Sequence, residues 1–424
     1  MMPANSKNGG KYIYEGSYGC AFYPALPCKQ NIKNKGLGKV FNNIRDFKQE
    51  EKIQKIIQKI DPKHEATIPY YGSCRVDINS TKTSDEVQKC NIISDYGISE
   101  SSFYQLMFKF GGDDLDKILN EMKKNTIYAS NTKTNKYNAI YFDTFITTLL
   151  PILKCILKIA YYGYSHSDIK PPNILYNMQN NHMYLIDFGL LQKQNYITHN
   201  GSILSFKYLY YPPEFTIMYS LRLGIRDPEL LYNSILENFE FYEYENYMTF
   251  LDFATYKRKL KTFITYALSI SLEKLEKEFL KVYIKKLDIY SLGMSLAEMI
   301  YVMKIDNTFK IHNIALYEMF IKNILIDIIH PDPRYRLTPD EAYIKMNCVY
   351  RLQKIKVQDT NIVKYLRTED LKSMLHSMKL PIPMQINNTR TTPTQRTTRT
   401  ANNTNENTTI YKNIIKSPEL LIKI

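Results

Sequence analysis

Two short stretches of this sequence carry side chains that could act together. Tyr164-Ser-His-Ser-Asp-Ile-Lys-Pro-Pro-Asn-Ile-Leu175 holds Asp168, Lys170 and Asn173 in one polar loop, and Met183-Tyr-Leu-Ile-Asp-Phe-Gly189 follows with Asp187. An aspartate with an asparagine five residues later can set a carboxylate against an attacking hydroxyl and an amide oxygen against a metal ion. The second aspartate, in an Asp-Phe-Gly turn, suits chelation of Mg²⁺. Either stretch alone is an ordinary polar loop. Both together, in this order and at this separation, point to one site.

The pair resembles the catalytic loop and metal-binding turn of eukaryotic-type protein kinases, His-Arg-Asp-x-x-x-x-Asn and Asp-Phe-Gly. The resemblance implies ATP and Mg²⁺ as co-substrate and cofactor, with Asp168 as catalytic base and Lys170 neutralising the transferred phosphate. It makes Asn173 and Asp187 the metal ligands. Upstream, Ile13 to Phe22 looks like the family's glycine-rich loop, which implies nucleotide contacts from Tyr14, Glu15, Gly16, Ser17, Tyr18, Gly19 and Ala21. Glycine is needed there because a Cβ would hold the backbone amides away from phosphate oxygens. Gly16 and Gly19 match two of the family's glycines, whereas Tyr14 stands at the first. Lys39, preferred over Lys33 and Lys35 because it falls within a strand pattern, takes the place of the lysine on the α- and β-phosphates. Glu50, in helical phase with Ile53 and Ile57, is the candidate to orient it, and Glu51 is out of phase.

Downstream, Tyr210-Tyr-Pro-Pro-Glu214 resembles the end of an activation segment, Asp288-Ile-Tyr-Ser-Leu-Gly293 the helix that anchors the catalytic loop, and Asp332-Pro-Arg-Tyr-Arg336 the motif whose arginine pairs with that glutamate. Ser167 stands where most of the family has arginine, so activity should not require activation-loop phosphorylation. Lys170 favours serine or threonine over tyrosine as acceptor. The resemblance therefore implies a serine/threonine protein kinase acting on protein hydroxyls by in-line transfer, similar to the kinases of large DNA viruses. A pseudokinase scaffold and a small-molecule kinase are the alternatives.

Positioning such a site takes two kinds of structure. Residues 11–41 read as three short strands, and Ile53, Ile56, Ile57 and Ile60 recur at helical spacing up to Asp61-Pro62. Further strands are expected near Ile68 to Tyr71 and Phe103 to Phe108, with a break at Gly111-Gly112. Helices follow at Asp114 to Lys124, Phe142 to Tyr162 and Lys286 to Val302. The fold class is thus α+β, and the resemblance makes it a bilobal kinase fold: a small, mainly β lobe (1–110) with one key helix, and a larger α lobe (111–346). The latter carries a helical insertion at about 215–285, read as Pro228 to Phe239, Glu245 to Thr262 and Ser269 to Tyr283. An extension occupies 347–424, and about 385–410 of it, nearly all Thr, Asn, Arg and Gln, should be disordered.

With 424 residues and 44% hydrophobic content, the chain has ample material for a core. The net charge of +14 is spread among 42 acidic residues and reads as a solvated surface, so no direct nucleic-acid binding is expected. The six cysteines form no Cys-x-x-Cys pair and read as reduced thiols. Phe145 to Tyr164, interrupted by Lys154 and Lys158, reads as a buried helix rather than a membrane span. A soluble, intracellular protein is the expectation, in host cytoplasm or virion if viral.

Overall fold

A computed structural model describes residues 10–16, 19–30, 36–77, 85–94, 102–127, 140–177, 180–199, 209–241 and 252–354. The chain is a mixed α+β protein, with an antiparallel sheet in its N-terminal part and mostly helices after it. Strands β1 (Lys11–Gly16), β2 (Gly19–Tyr23), β3 (Leu37–Phe41), β4 (Tyr70–Arg75) and β5 (Tyr104–Phe108) form that sheet in the order β1-β2-β3-β5-β4. Side chains alternate across it. On one face Cys20, Phe22 and Val40 join Leu26, Val76 and Phe103 in an apolar cluster; on the other, Ala21 lies opposite Lys39.

Helix α1 (Ile44–Ile60) packs against the sheet through Phe47, which stacks on Tyr104 and meets Phe41 edge-on. Asn43 caps its first turn, accepting from Arg45 N. Its buried positions Phe47, Glu50, Ile53, Gln54, Ile57 and Ile60 follow the 3.6-residue period. Two short helices, α2 (Asp85–Gln88) and α3 (Asn91–Ser94), lie on the far side of the sheet. β4 starts two residues later than the hydrophobic pattern suggests, because residues 61–69 are taken up by a loop wound around Asp61.

The helical part begins after Gly111. A Cβ there would approach Leu175 and Ile68 too closely, and Gly112 adopts φ +116°, so the two glycines let the chain cross close to its neighbours. The short strand β6 (Asp113–Asp114) leads into α4 (Leu115–Ile127). After β7 (Ile140–Tyr141) comes the central α5 (Phe142–Tyr161). Strands β8 (Tyr164–Ser165), β9 (Ile174–Asn177), β10 (His182–Leu185) and β11 (Gln192–Lys193) follow; β10, β9 and β6 form a second small antiparallel sheet. Then come α6 (Pro213–Arg222), α7 (Pro228–Phe241), α8 (Phe253–Ser269), α9 (Leu272–Lys281) and α10 (Leu287–Ile305). Strand β12 (Phe309–Lys310), helix α11 (Ile314–Phe320) running through a π-turn to Ile328, and α12 (Pro339–Lys354) complete it. The α12 helix carries the fold past 346.

Helix α5 is long and apolar enough to cross a membrane by length and composition, but eleven of its residues, from Phe142 to Ile159, are buried in the protein core. In the 215–285 region the second helix starts at Phe253, and residues 242–251, where it was expected to begin, lie outside the described residues, as do 385–410. The expectation of reduced cysteines fails for four of the six. Cys20 is bonded to Cys90 and Cys28 to Cys74, leaving Cys155 and Cys348 as buried thiols. Sequence spacing hid both bonds, because the partners are 70 and 46 residues apart and meet only when the sheet forms.

Candidate functional site

Lys39 lies centrally in the sheet, in a cross-strand row that runs from Tyr14 through Ala21 to Lys39 and Leu106. Residues directly opposite one another share a face, so this row looks onto one side of the sheet. A register shift between Tyr12 and Tyr14 sets Tyr14, rather than Ile13, opposite Ala21. The Tyr14 hydroxyl lies about where a Cβ on Gly16 would project, only 2.9 Å away, so Gly16 has no room for a side chain unless Tyr14 gives way. A Cβ on Gly19 would come within 2.4 Å of the Val40 carbonyl. Ser17 and Tyr18 lie outside the described residues, as do Lys33 and Lys35.

The Lys39 ammonium meets both Glu50 oxygens at 2.9 Å and Asp187 Oδ1 at 3.1 Å. Glu51, one position on, points instead to Ser73 and Tyr70. Burial alone would push the lysine pKa down, but Glu50 and Asp187 overcome it and hold Lys39 charged well above the ordinary lysine range. Asp187 moves the other way. Burial would raise it, and the Lys39 charge and hydrogen bond, helped by His166 and Lys170, bring it below the usual carboxylate value. Asp187 also sits in left-handed backbone, φ +55°, which an aspartate tolerates better than most residues.

Asp168 faces its own loop. Lys170 Nζ is 3.0 Å from Asp168 Oδ1, and Asn173 Nδ2 donates to Asp168 Oδ2 and to the Asp168 carbonyl, both at 2.8 Å. With its nitrogen used on Asp168, Asn173 keeps the oxygen as its ligating atom. Two bonds join this loop to the Asp187 turn: the backbone Ile186 N donates to Asn173 O, and the His166 side chain donates from Nε2 to Ile186 O. The structure thus brings Lys39, Glu50 and Asp187 into one ion cluster and Asp168, Lys170 and Asn173 into a second hydrogen-bonded group, tied through Asn173 O to Ile186, the residue before Asp187. Glu15 is turned toward α3, where its carboxylate accepts from Asn91 N.

Asp288, at the start of α10, holds the loop from beneath. Its carboxylate accepts from Ser165 Oγ, His166 N and Ser167 N at 2.8–2.9 Å. Ser167, in a left-handed conformation with φ +63°, is fixed on its other side by Tyr211, whose hydroxyl donates to the Ser167 carbonyl at 2.9 Å. Two of these supports were not evident from sequence. Tyr211 falls inside the Tyr210-Tyr-Pro-Pro-Glu214 motif, but nothing in that motif links its hydroxyl to Ser167. Asp61 reads only as a helix end, yet its buried carboxylate accepts from Glu65 N, Ala66 N, Thr67 N and Thr67 Oγ1. Ala66 O in turn accepts from Leu185 N, which ties the end of α1 to the strand that delivers Asp187.

Among the described residues, no group of three or more His, Cys, Asp or Glu is placed to hold a metal ion. A carboxylate and an amide oxygen fit Mg²⁺ bound largely through phosphate and water, which takes few protein ligands. No protein-family model and no curated protein matches the sequence.

Proposed function

We propose that this chain is a protein kinase, transferring the γ-phosphate of ATP to serine or threonine hydroxyls of protein substrates, and that the sheet and the helical part are its two lobes. The observation that carries the reading is the Lys39 ammonium shared between Glu50 on α1 and Asp187 beyond β10, beside the interlocked Asp168, Lys170 and Asn173. A buried lysine kept charged by two carboxylates is a ready anchor for phosphate oxygens.

In this reading Asp168 Oδ accepts the proton of the attacking hydroxyl. Lys170 moves from Asp168 to the transferred phosphoryl group, and Lys39 holds the nucleotide in register. Asn173 and Asp187 would hold Mg²⁺, which supplies neutralisation of charge on the phosphates. The rate comes mainly from positioning and charge stabilisation, since no side chain forms a covalent intermediate. Incorporation of phosphate from γ-labelled ATP into a generic basic protein, abolished in Asp168→Ala and Asp187→Ala, is the expected result. Nucleotide binding by the wild type without transfer would favour a pseudokinase scaffold, and transfer only to small alcohols a small-molecule kinase.

A further inference from the structure

The α2–α3 segment, Asp85 to Ser94, has no part in the chemistry above, yet it grips the β1–β2 hairpin from the side opposite Lys39. Three bonds do so. Tyr12 N donates to Glu86 at 2.8 Å, Asn91 N donates to Glu15 at 3.1 Å, and Cys90 is joined covalently to Cys20 in β2. Val87, Cys90 and Ile93, all fully buried, fill the apolar face formed by Cys20, Phe22, Leu26 and Val40.

Strand alternation gives this grip a functional meaning. Cys20 faces α2–α3 while its neighbour Ala21 faces the row of Tyr14 and Lys39. A restraint on Cys20 is therefore a restraint on the backbone that carries Gly19 and Ala21 on the other face.

We infer that α2–α3 is a clasp that positions the β1–β2 hairpin over the nucleotide, with Cys20–Cys90 as its lock and Glu86 as a positioning residue. The inference rests on the proposed reading of the cleft as a nucleotide site. The second disulfide does not share this role. Cys28 and Cys74 lie where the backbone is already paired, through Lys29 N to Arg75 O and Asp77 N to Pro27 O, so that bond duplicates an existing restraint. Both sulfurs of the lock are fully buried, so a dithiol reaches them only when the clasp opens.

The test compares Cys20→Ala/Cys90→Ala, Cys28→Ala/Cys74→Ala and Glu86→Ala, which keeps both disulfides, with the wild type. The probe is a fluorescent ATP analogue with Mg²⁺, together with hydrogen exchange at β1 and β2. The Cys20/Cys90 variant should bind the analogue about tenfold more weakly and exchange its hairpin amides at least about tenfold faster, following loss of a local restraint. Glu86→Ala should shift both in the same direction by about threefold, and the Cys28/Cys74 variant should stay within about twofold of wild type. Chain denatured and alkylated without reductant should take up label at Cys155 and Cys348 alone; label on Cys20 or Cys90 would overturn the lock. Equal affinity and equal exchange in the wild type, the Cys20/Cys90 variant and Glu86→Ala would overturn the clasp. A wild type that binds no nucleotide would instead remove the reading of the cleft, and hairpin exchange would still decide the clasp.

Discussion

Glu214 and Arg336, 122 positions apart, meet as a two-pronged pair in the interior: Nη1 to Oε1 at 2.7 Å and Nη2 to Oε2 at 2.9 Å, with both side chains almost wholly buried. Arg336 Nε is satisfied by the His330 carbonyl, and the guanidinium lies over the Tyr290 ring. The pair pins α6, which follows the site's Tyr211, to the loop before α12. Its worth lies less in net attraction than in what breaking it would leave behind.

Arg336→Met should therefore destabilise the fold by roughly 3–5 kcal/mol, because the Glu214 carboxyl would be left in the core without its partner. Glu214→Leu combined with Arg336→Met should recover much of that loss, since two apolar side chains leave no stranded charge. Urea denaturation of the wild type, Glu214→Leu, Arg336→Met and the double variant measures this. Additive losses in the double variant would show that the pair is not a unit.

Removal of the Lys39 charge addresses the site itself. Lys39→Met should lower phosphoryl transfer by about a hundredfold or more, as expected for a group that neutralises phosphate charge in a water-poor site. Glu50→Gln should cost less, because Asp187 still faces the ammonium at 3.1 Å. Since Glu50 and Asp187 hold Lys39 charged above the ordinary lysine range, transfer should show no loss attributable to this group as pH rises toward that range. An alkaline limb in the wild type that moves to lower pH in Glu50→Gln, where the lysine has lost one of its two carboxylates, would contradict this.

The parts of this molecule visible in its sequence are those written in local pattern. The α1 face, the phase of Glu50 against Glu51 and the strand that carries Lys39 follow from periodicity, so helix and strand placement there needed only near neighbours. Contacts between distant segments were out of reach of such reasoning. Cys20 finds Cys90 only through sheet closure, Asp61 gathers a loop whose polar atoms look unremarkable, and Tyr211 is one of 36 tyrosines. The late start of β4 has the same origin, since four bonds to one buried carboxylate hold residues 65–67 out of the sheet.

His330 gives a pH-dependent contribution of definite sign. Burial, reinforced by the Lys259 charge and opposed by the hydrogen bond and charge of Asp332, pushes its pKa down from 6.5 to about 4. The unfolded chain takes up the proton first, so this contribution is intact above the unfolded value and is lost as pH falls from about 6.5 to about 4, by roughly 3 kcal/mol in all. Below that range the loss levels off. Thermal denaturation between about pH 4 and 7 should show a steeper acid-side decline for the wild type than for His330→Asn; parallel curves would exclude the effect.

The Asp168 loop keeps its shape without an arginine before Asp168. The Ser167–Asp168 peptide is held at its carbonyl by the Tyr211 hydroxyl, at 2.9 Å, and the preceding amide is held by Asp288 at 2.9 Å. Ser167 is in left-handed backbone, a conformation a serine does not favour by itself, so the two bonds set the direction in which Asp168 leaves the chain. Tyr211→Phe removes one of them and keeps the ring that stacks on Phe215. Stability should fall by only about 1 kcal/mol, the usual net worth of one hydrogen bond, while the turnover number should drop about tenfold from misdirection of the base. The KM for ATP should hardly move, because Lys39 and the hairpin are untouched. Phosphatase treatment of the wild type should leave its rate unchanged, since no arginine is present there to receive a phosphate. A rise in KM with unchanged turnover in Tyr211→Phe would mean that the tyrosine serves substrate binding instead, and a rate abolished by phosphatase would return control to a modified activation segment.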